Sequence, residues 1–160
     1  MLQRIQSVFL FLACGLMIAT LVLPLWINEN PNSGEKHEIF ALFYQFTVDS
    51  NAVPERHYNP YFITGLLALV AACIAGYEIF KYKNRLSQMK LGALNSLIMM
   101  GVIGFVVYFA IDGQKIWLIT SVGEYQVGFF LTPVAAICNI LANRFIRRDE
   151  KLVRSVDRIR

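Results

Sequence analysis

The chain has 160 residues, of which 56 % are hydrophobic and only 16 % charged, and its formal net charge is +4. Ordinary soluble proteins carry about 25 % charged residues, so this composition excludes a typical soluble domain. The apolar residues come in long blocks rather than periodic stripes, which is typical of membrane spans. Three cysteines, Cys14, Cys73 and Cys138, each fall inside an apolar block and are interpreted as packing residues rather than disulfide or zinc ligands.

The first apolar block, residues 7–27, follows a short polar start that contains Arg4. Twenty helical residues rise about 30 Å, the thickness of the hydrocarbon layer. A cleaved signal peptide is the alternative, but its apolar region would be about 7–15 residues long and would end at a small-residue cleavage site. This block is longer and ends in Leu23-Pro24-Leu25-Trp26. We therefore predict a retained membrane helix.

The polar, turn-rich segment 28–59 is predicted to be an outer loop. Within it, Ile39 to Val48 is too short to span a membrane and rich in aromatics, so we predict a strand, with an interfacial segment as the alternative. The second span is predicted at 60–81. Its small residues Ala68, Ala72 and Gly76 are four apart, which is typical of a surface that another helix approaches closely.

A short basic loop, 82–90, leads to a third predicted span at 91–111. Asp112-Gly113 indicates a turn into a second outer loop, 112–124, where Ile116 to Val122 favours a strand and Gly123-Glu124 a hairpin turn. The fourth span is predicted at 125–147, with Pro133 as a kink or within its first turns. The fold prediction is thus an all-α membrane protein, a bundle of four transmembrane helices in one domain, with a small β-hairpin or sheet cap from the two outer loops.

Basic residues divide unequally between the two sides of this layout. Twelve of the fifteen lie in the start, in the segment Lys81–Lys90 and in the stretch Arg144–Arg160, and only three lie in the outer loops. Short basic flanks are retained in the cytoplasm. We therefore predict a multi-pass protein of the bacterial inner (cytoplasmic) membrane with both termini cytoplasmic.

Polar residues inside the spans are few. Asn139 and Asn143 are four apart, and Asn95 lies at a similar depth, so we expect these amides to face one another in the bundle. Glu78 is three residues before Lys81, which favours a helix-end ion pair over a functional carboxylate. The predicted helix–helix packing residues are Ala68, Ala72, Gly76, Asn95, Asn139 and Asn143.

Neither histidine of the first outer loop, His37 or His57, has a second His or Cys at helical spacing, so no metal site is predicted. No phosphate-binding loop or hydrolase motif is present in the sequence, and we expect no cofactor.

The basic tail allows three interpretations, namely a solvated flank, binding to anionic lipid or docking on a protein or RNA. Leu152, Val153, Val156 and Ile159 recur at spacings of three and four, which predicts an apolar stripe on a helix. A solvated flank would not need such a stripe. The predicted docking residues are Arg147, Arg148, Lys151, Leu152, Arg154, Val156, Arg158 and Ile159.

The two ends of the chain also resemble a known family. The segments that carry this resemblance are Met1–Ser7, Leu141–Arg144, Ile146–Ser155 and Asp157–Arg160. They are similar to the ends of an uncharacterised family of small four-pass inner-membrane proteins of Bacteroidota, catalogued as a domain of unknown function. The resemblance implies the four-span topology and brings no activity, cofactor or catalytic residue.

The sequence thus predicts a non-enzymatic accessory or structural subunit of a larger membrane complex, with membrane lipids and other integral membrane proteins as partners. Nucleic acid is expected only indirectly, through such an assembly. The alternative is a component of a transporter or channel for a small neutral solute. An enzyme acting on lipid or envelope precursors is the least favoured interpretation, because no acid, base or nucleophile marks a site.

Overall fold

The computed structural model describes residues 2–30, 34–48, 53–82, 84–116 and 123–157. Four long helices dominate this part of the chain: α1 (Leu2–Val22), α2 (Phe62–Phe80), α3 (Arg85–Ile116) and α4 (Val127–Asp157). All four are long and apolar enough to cross a membrane. The prediction of four membrane-capable helices is therefore confirmed. Each helix packs against its two neighbours in a closed ring, α1 against α2 and α4, and α3 against α2 and α4.

Small residues fill the centre of the bundle, so the helix backbones lie close together. Methionine and valine side chains from α1 and α3 complete this core, whose buried members are Ala13, Met17, Ala68, Ala71, Ala72, Met99, Val102, Ala135 and Cys138. Large apolar side chains point outward instead, for example Phe11 at 73 % exposure and Phe80 at 80 %. A helix that is apolar on its outer face as well as its inner face is typical of a membrane span.

Five short strands form one antiparallel sheet at the end of the bundle where α1 and α3 end, which we call the cap end. Its strand order is β4-β3-β2-β1-β5. Four strands lie between α1 and α2, and the fifth lies between α3 and α4; they are β1 (Trp26–Glu29), β2 (Lys36–Ile39), β3 (Tyr44–Thr47), β4 (Glu55–His57) and β5 (Glu124–Tyr125). The predicted sheet cap, built from both outer loops, is confirmed.

The sheet packs directly on the helices through a cluster in which Trp26, Ile39 and Tyr44 meet Phe109 and Ala110 of α3. A backbone hydrogen bond also links the segment after α1 to β2, since the N–H of Leu25 donates to the carbonyl of Ile39 at 2.8 Å. The cap and the bundle therefore share one continuous apolar interior.

The prediction of a single strand from Ile39 to Val48 is wrong. The segment is a hairpin in which β2 ends at Ile39 and β3 begins at Tyr44. The N–H of Phe40 donates to the carbonyl of Phe43 at 2.9 Å, and the two rings stack at 4.8 Å. A tight turn through Ala41 and Leu42, flanked by two phenylalanines, carries none of the Gly, Pro or Asn signals that usually mark turns.

The predicted turn at Asp112-Gly113 is also wrong, because α3 continues through both residues to Ile116. Gly113 is buried here. Helix α3 also begins earlier than predicted, at Arg85 rather than at residue 91. The expected strand between Ile116 and Val122 falls on the end of α3 and on residues 117–122, which lie outside the described residues. Pro133 is the seventh residue of α4.

Candidate functional site

Polar side chains are gathered inside the bundle at the end opposite the sheet, which we call the basic end because the tail and the α2–α3 connection lie there. One carboxylate and several amides are buried at this end, namely Gln6 of α1, Glu78 of α2, Gln88 and Asn95 of α3, and Asn139 and Asn143 of α4. Every helix thus contributes to the group. We refer to these six residues as the buried polar cluster.

Glu78 belongs to the cluster because of its phase on α2. It follows Ala71 and Ala75 at spacings of four and three, so it lies on the same inward face as those buried alanines. Only 1 % of Glu78 is exposed. Neither of its carboxylate oxygens has a hydrogen-bond partner among the described residues.

The expected ion pair between Glu78 and Lys81 is therefore a wrong prediction. The ammonium group of Lys81 lies over the ring of Tyr77, 5.4 Å from its centroid, while Glu78 faces the interior. Desolvating a carboxylate without a counter-charge is expensive. A structural helix-end role does not explain why this carboxylate is buried.

The two asparagines of α4 hold α3 through its backbone. Nδ2 of Asn139 donates to the Gly92 carbonyl at 2.8 Å and to Oγ of Ser96 at 2.9 Å. Nδ2 of Asn143 donates to the carbonyl of Met89 at 3.2 Å. These bonds link helices that are distant in sequence, and each contributes about 0.6–2 kcal/mol in a membrane.

Asn95 is not the hydrogen-bond partner of either asparagine, contrary to expectation. It is fully buried, and both its oxygen and its nitrogen lack hydrogen-bond partners among the described residues. Backbone carbonyls of α3 take its place because Gly92 has no side chain to separate the helices. Gln88, which the sequence reasoning missed, donates from Nε2 to the backbone carbonyl of Glu78 at 3.0 Å and ties α3 to α2.

Gly92 lies at the centre of the cluster. A Cβ atom at this position would be 3.1 Å from Nδ2 of Asn143 and 3.3 Å from Oε2 of Glu78. The carboxylate of α2 and the amide of α4 therefore both border the space left by the missing side chain of α3. Any larger residue would enter that space.

The three predicted small residues of α2 do not all contact the same part of the bundle. Ala68 and Ala72 lie in the central core. Gly76 is only half-buried, and its side-chain position faces Sγ of Cys14 on α1 at 3.9 Å.

The tail continues α4 as one helix to Asp157 rather than forming a separate segment. Arg147, Arg148 and Lys151 are exposed, and so are Leu152 at 50 % and Val153 at 42 %. Among the other predicted docking residues, Arg154 and Val156 lie within the helix, whereas Arg158 and Ile159 lie outside the described residues.

Basic and apolar groups also line a cleft between α3 and α4 at the basic end. Its volume is about 470 Å³, and it is bordered by Ala93, Ser96, Ile140, Asn143, Arg144 and Arg147. Arg144 and Arg147 place positive charge at the opening of this cleft. Asn143 lines the cleft and also belongs to the buried polar cluster.

A second, aromatic pocket of about 390 Å³ opens on the cap, lined by His37, Tyr44, Phe46, His57, Asn59, Pro60 and Tyr61. Nδ1 of His37 and the Tyr44 hydroxyl share a hydrogen bond of 2.6 Å. Burial lowers the pKa of His37, partly opposed by the carboxylate of Glu35, and burial raises the pKa of Tyr44. Both groups are therefore kept neutral, and the pair stabilises the sheet. In the part of the chain that is described, no three His, Cys, Asp or Glu side chains meet in a way that could hold a metal ion.

A sequence profile described as a domain of unknown function, DUF4293, matches residues 2–159. The chain belongs to the DUF4293 family. The resemblance at the two ends of the chain is thus confirmed as far as membership of an uncharacterised family. The family's restriction to Bacteroidota and to the inner membrane stays a prediction. A search of curated proteins finds no match to the chain.

Proposed function

We propose that this DUF4293 protein is a non-enzymatic subunit of a larger inner-membrane assembly, to which it docks through the cytoplasmic extension of α4. The observation that supports this is the continuity of α4. Its 31 residues measure about 46 Å at 1.5 Å per residue, whereas the hydrocarbon layer is about 30 Å thick. The last turns of the helix must therefore project beyond the membrane.

The projecting part of α4 is held in place by its neighbour. The guanidinium of Arg85, at the start of α3, is 3.2 Å from the carboxylate of Asp149. An ion pair at the surface contributes at most about 1 kcal/mol, but it fixes the direction of the extension relative to the bundle. A supported helix presents its side chains in a constant register, as a docking element requires.

The face that the extension presents is both basic and apolar. Leu152 and Val153 are exposed next to Arg148 and Lys151. Positive charge alone would attract anionic lipid, at about 1 kcal/mol for each basic residue near the surface. The exposed pair Leu152 and Val153, the first two members of the apolar stripe that the sequence predicts, adds what a protein groove recognises. We therefore favour a protein partner, and lipid binding is the competing outcome of the test.

Two paired substitutions separate these outcomes. The L152S/V153S variant removes the apolar side chains and keeps every charge, whereas R148Q/K151Q removes two charges and keeps the apolar side chains. If a protein partner binds the extension, L152S/V153S should lose the proteins that co-purify in mild detergent while still inserting into the membrane. If R148Q/K151Q alone changes behaviour, by losing binding to anionic vesicles, the extension is a lipid anchor and the docking proposal is wrong.

The sidedness of the proposal rests on the unequal distribution of basic residues. It can be tested with single cysteines in a background where the three native cysteines are replaced by alanine. A membrane-impermeant thiol reagent applied to intact cells should label V53C, in the exposed loop before β4, and not K151C on the extension. Labelling of K151C in intact cells would place the tail outside and would overturn the orientation.

The alternative function, a component of a transporter or channel for a small neutral solute, is favoured by one observation, the buried polar cluster. Unpaired polar groups inside a bundle commonly mark a substrate or ion pathway. Uptake measurements in proteoliposomes containing only this protein distinguish the two functions, since a docking subunit alone should transport nothing.

A further inference from the structure

Among the described residues of the buried polar cluster, acceptors without a partner outnumber donors without one, since Nδ2 of Asn95 is the one such donor. Both oxygens of Glu78 and the Oδ1 atoms of Asn139 and Asn143 are buried and have no hydrogen-bond partner among the described residues. The amide nitrogens of the two asparagines donate to backbone carbonyls of α3, so their oxygens must point away from those carbonyls. Buried acceptors are almost always satisfied in folded proteins. Something other than the described side chains is expected to satisfy these.

The charge of Glu78 is also unbalanced. Two described cationic residues close to Glu78 in sequence have other contacts, Lys81 over the ring of Tyr77 and Arg85 with Asp149. Lys83 lies outside the described residues. On α4, Arg144 is exposed and borders the cleft that opens between α3 and α4. No described cationic side chain forms an ion pair with Glu78. A buried carboxylate that has no counter-charge among the described residues is expensive, and a bound cation or a proton would neutralise it.

We propose that the buried polar cluster binds one sodium ion between the carboxylate of Glu78 and the amide oxygens of Asn139 and Asn143. Carboxylate and carbonyl oxygens are the ligands preferred by hard cations. One carboxylate neutralises one positive charge, so a monovalent ion leaves no net charge in the low-dielectric interior, whereas a divalent ion would leave one. The absence of a side chain at Gly92 leaves a space bordered by Oε2 of Glu78 and by the amide group of Asn143, whose Nδ2 lies nearest to it.

A proton on Glu78 is the competing explanation, and it satisfies fewer groups. Protonation would turn one carboxylate oxygen into a donor, which could reach one amide oxygen and would leave the other unsatisfied. A metal ion contacts several oxygens at once. The number of acceptors is therefore the observation that favours sodium over a proton.

The test is the thermal unfolding of the purified full-length protein in lipid nanodiscs, compared in sodium chloride and in choline chloride of equal ionic strength. A ligand that binds only the folded state raises the unfolding midpoint with its concentration. Sodium should raise the midpoint by about 2–6 °C relative to choline, and equilibrium binding of radioactive sodium should saturate at one ion per chain. A midpoint that depends on pH but not on sodium would show that only a proton binds, and would overturn the proposal.

Two variants and a control assign the effect to the cluster. In E78Q, which keeps the shape of the side chain but not its charge, the sodium-dependent shift and the radioactive binding should disappear. In N143A, which keeps the charge but removes one oxygen, binding should weaken at least tenfold. The control E55Q removes an exposed carboxylate from β4 and should behave like the unmodified chain. A sodium shift that persists in E78Q would overturn the proposal, and if E78Q fails to fold, N143A and the radioactive binding still decide it.

Discussion

The junction between α1 and α4 at the cap end offers the sharpest test of the packing. Gly128 lies one residue into α4, and its N–H donates to the carbonyl of Pro24 at 3.2 Å. A Cβ atom at Gly128 would approach the backbone oxygens of Pro24 at 2.6 Å and Leu23 at 2.9 Å. Backbone atoms cannot rotate away as a flexible side chain can. G128A must therefore separate the two chain segments or distort one of them.

The expected cost follows from this geometry. Inserting a methyl group where the structure cannot yield usually costs about 1–3 kcal/mol. For a chain of this size each kcal/mol shifts the unfolding midpoint by about 2–4 °C, so G128A should unfold about 3–10 °C below the unmodified protein in the same detergent.

The matched control is G104A, which makes the same chemical change at an open position. Among the described residues, and apart from the neighbouring backbone of α3 itself, no atom lies within 4 Å of a Cβ placed on Gly104 in the middle of that helix. Alanine is the better helix former by up to about 1 kcal/mol, so G104A should be neutral or slightly stabilising. Equal midpoints for G128A and G104A, or a lower one for G104A, would refute the close approach at Gly128.

Two further expectations follow from the contacts of single side chains. Burial lowers the pKa of His37 in the folded protein, so the unfolded chain binds a proton at this imidazole more readily than the folded one does. The folded state is therefore most stable above about pH 6.5, where the imidazole is neutral in both states. Stability is lost as the pH falls below that value. The unfolding midpoint should therefore fall between pH 7.5 and pH 5.5, and less so in H37N, whereas an identical pH profile for H37N would contradict the assignment. N139A removes two interhelical hydrogen bonds and should cost about 1–3 kcal/mol in equilibrium unfolding in detergent, whereas an unchanged stability would mean that these bonds do not hold α4 against α3.

Hydropathy located the four helices because a membrane span requires a long apolar block. It could not locate the ends of α3, which runs past the apolar block on both sides. An apolar block marks only the part of a helix that could span a membrane, whereas the helix itself continues as far as its neighbours support it. At Gly113 packing keeps the chain helical despite a local turn signal.

The buried carboxylate was predictable in part. Glu78 continues the spacing of Ala71 and Ala75, and this phase places it inward, but the nearby Lys81 offered a simpler partner in sequence. Whether Glu78 faces the interior or pairs with Lys81 depends on how closely α3 packs against α2. Gly92, whose missing side chain leaves space beside Glu78, allows that close packing. The pairing of β1 with β5 was beyond a single sequence, because strands of two and four residues carry too little pattern to select a partner about a hundred positions away.

That pairing makes the two ends of the bundle mechanically unlike. At the cap end, Trp26 pairs with Tyr125 and Ile27 with Glu124, so the strand that follows α1 and the strand that precedes α4 belong to one hydrogen-bonded sheet. At the basic end, the contacts between α4 and α3 described above are side-chain bonds and one surface ion pair. A helix that is held by a backbone-bonded sheet at one end moves most at its other end. Any swing of α4 therefore pivots at the sheet and widens the opposite end, where it moves the last turns of α4 together with Asn139 and Asn143.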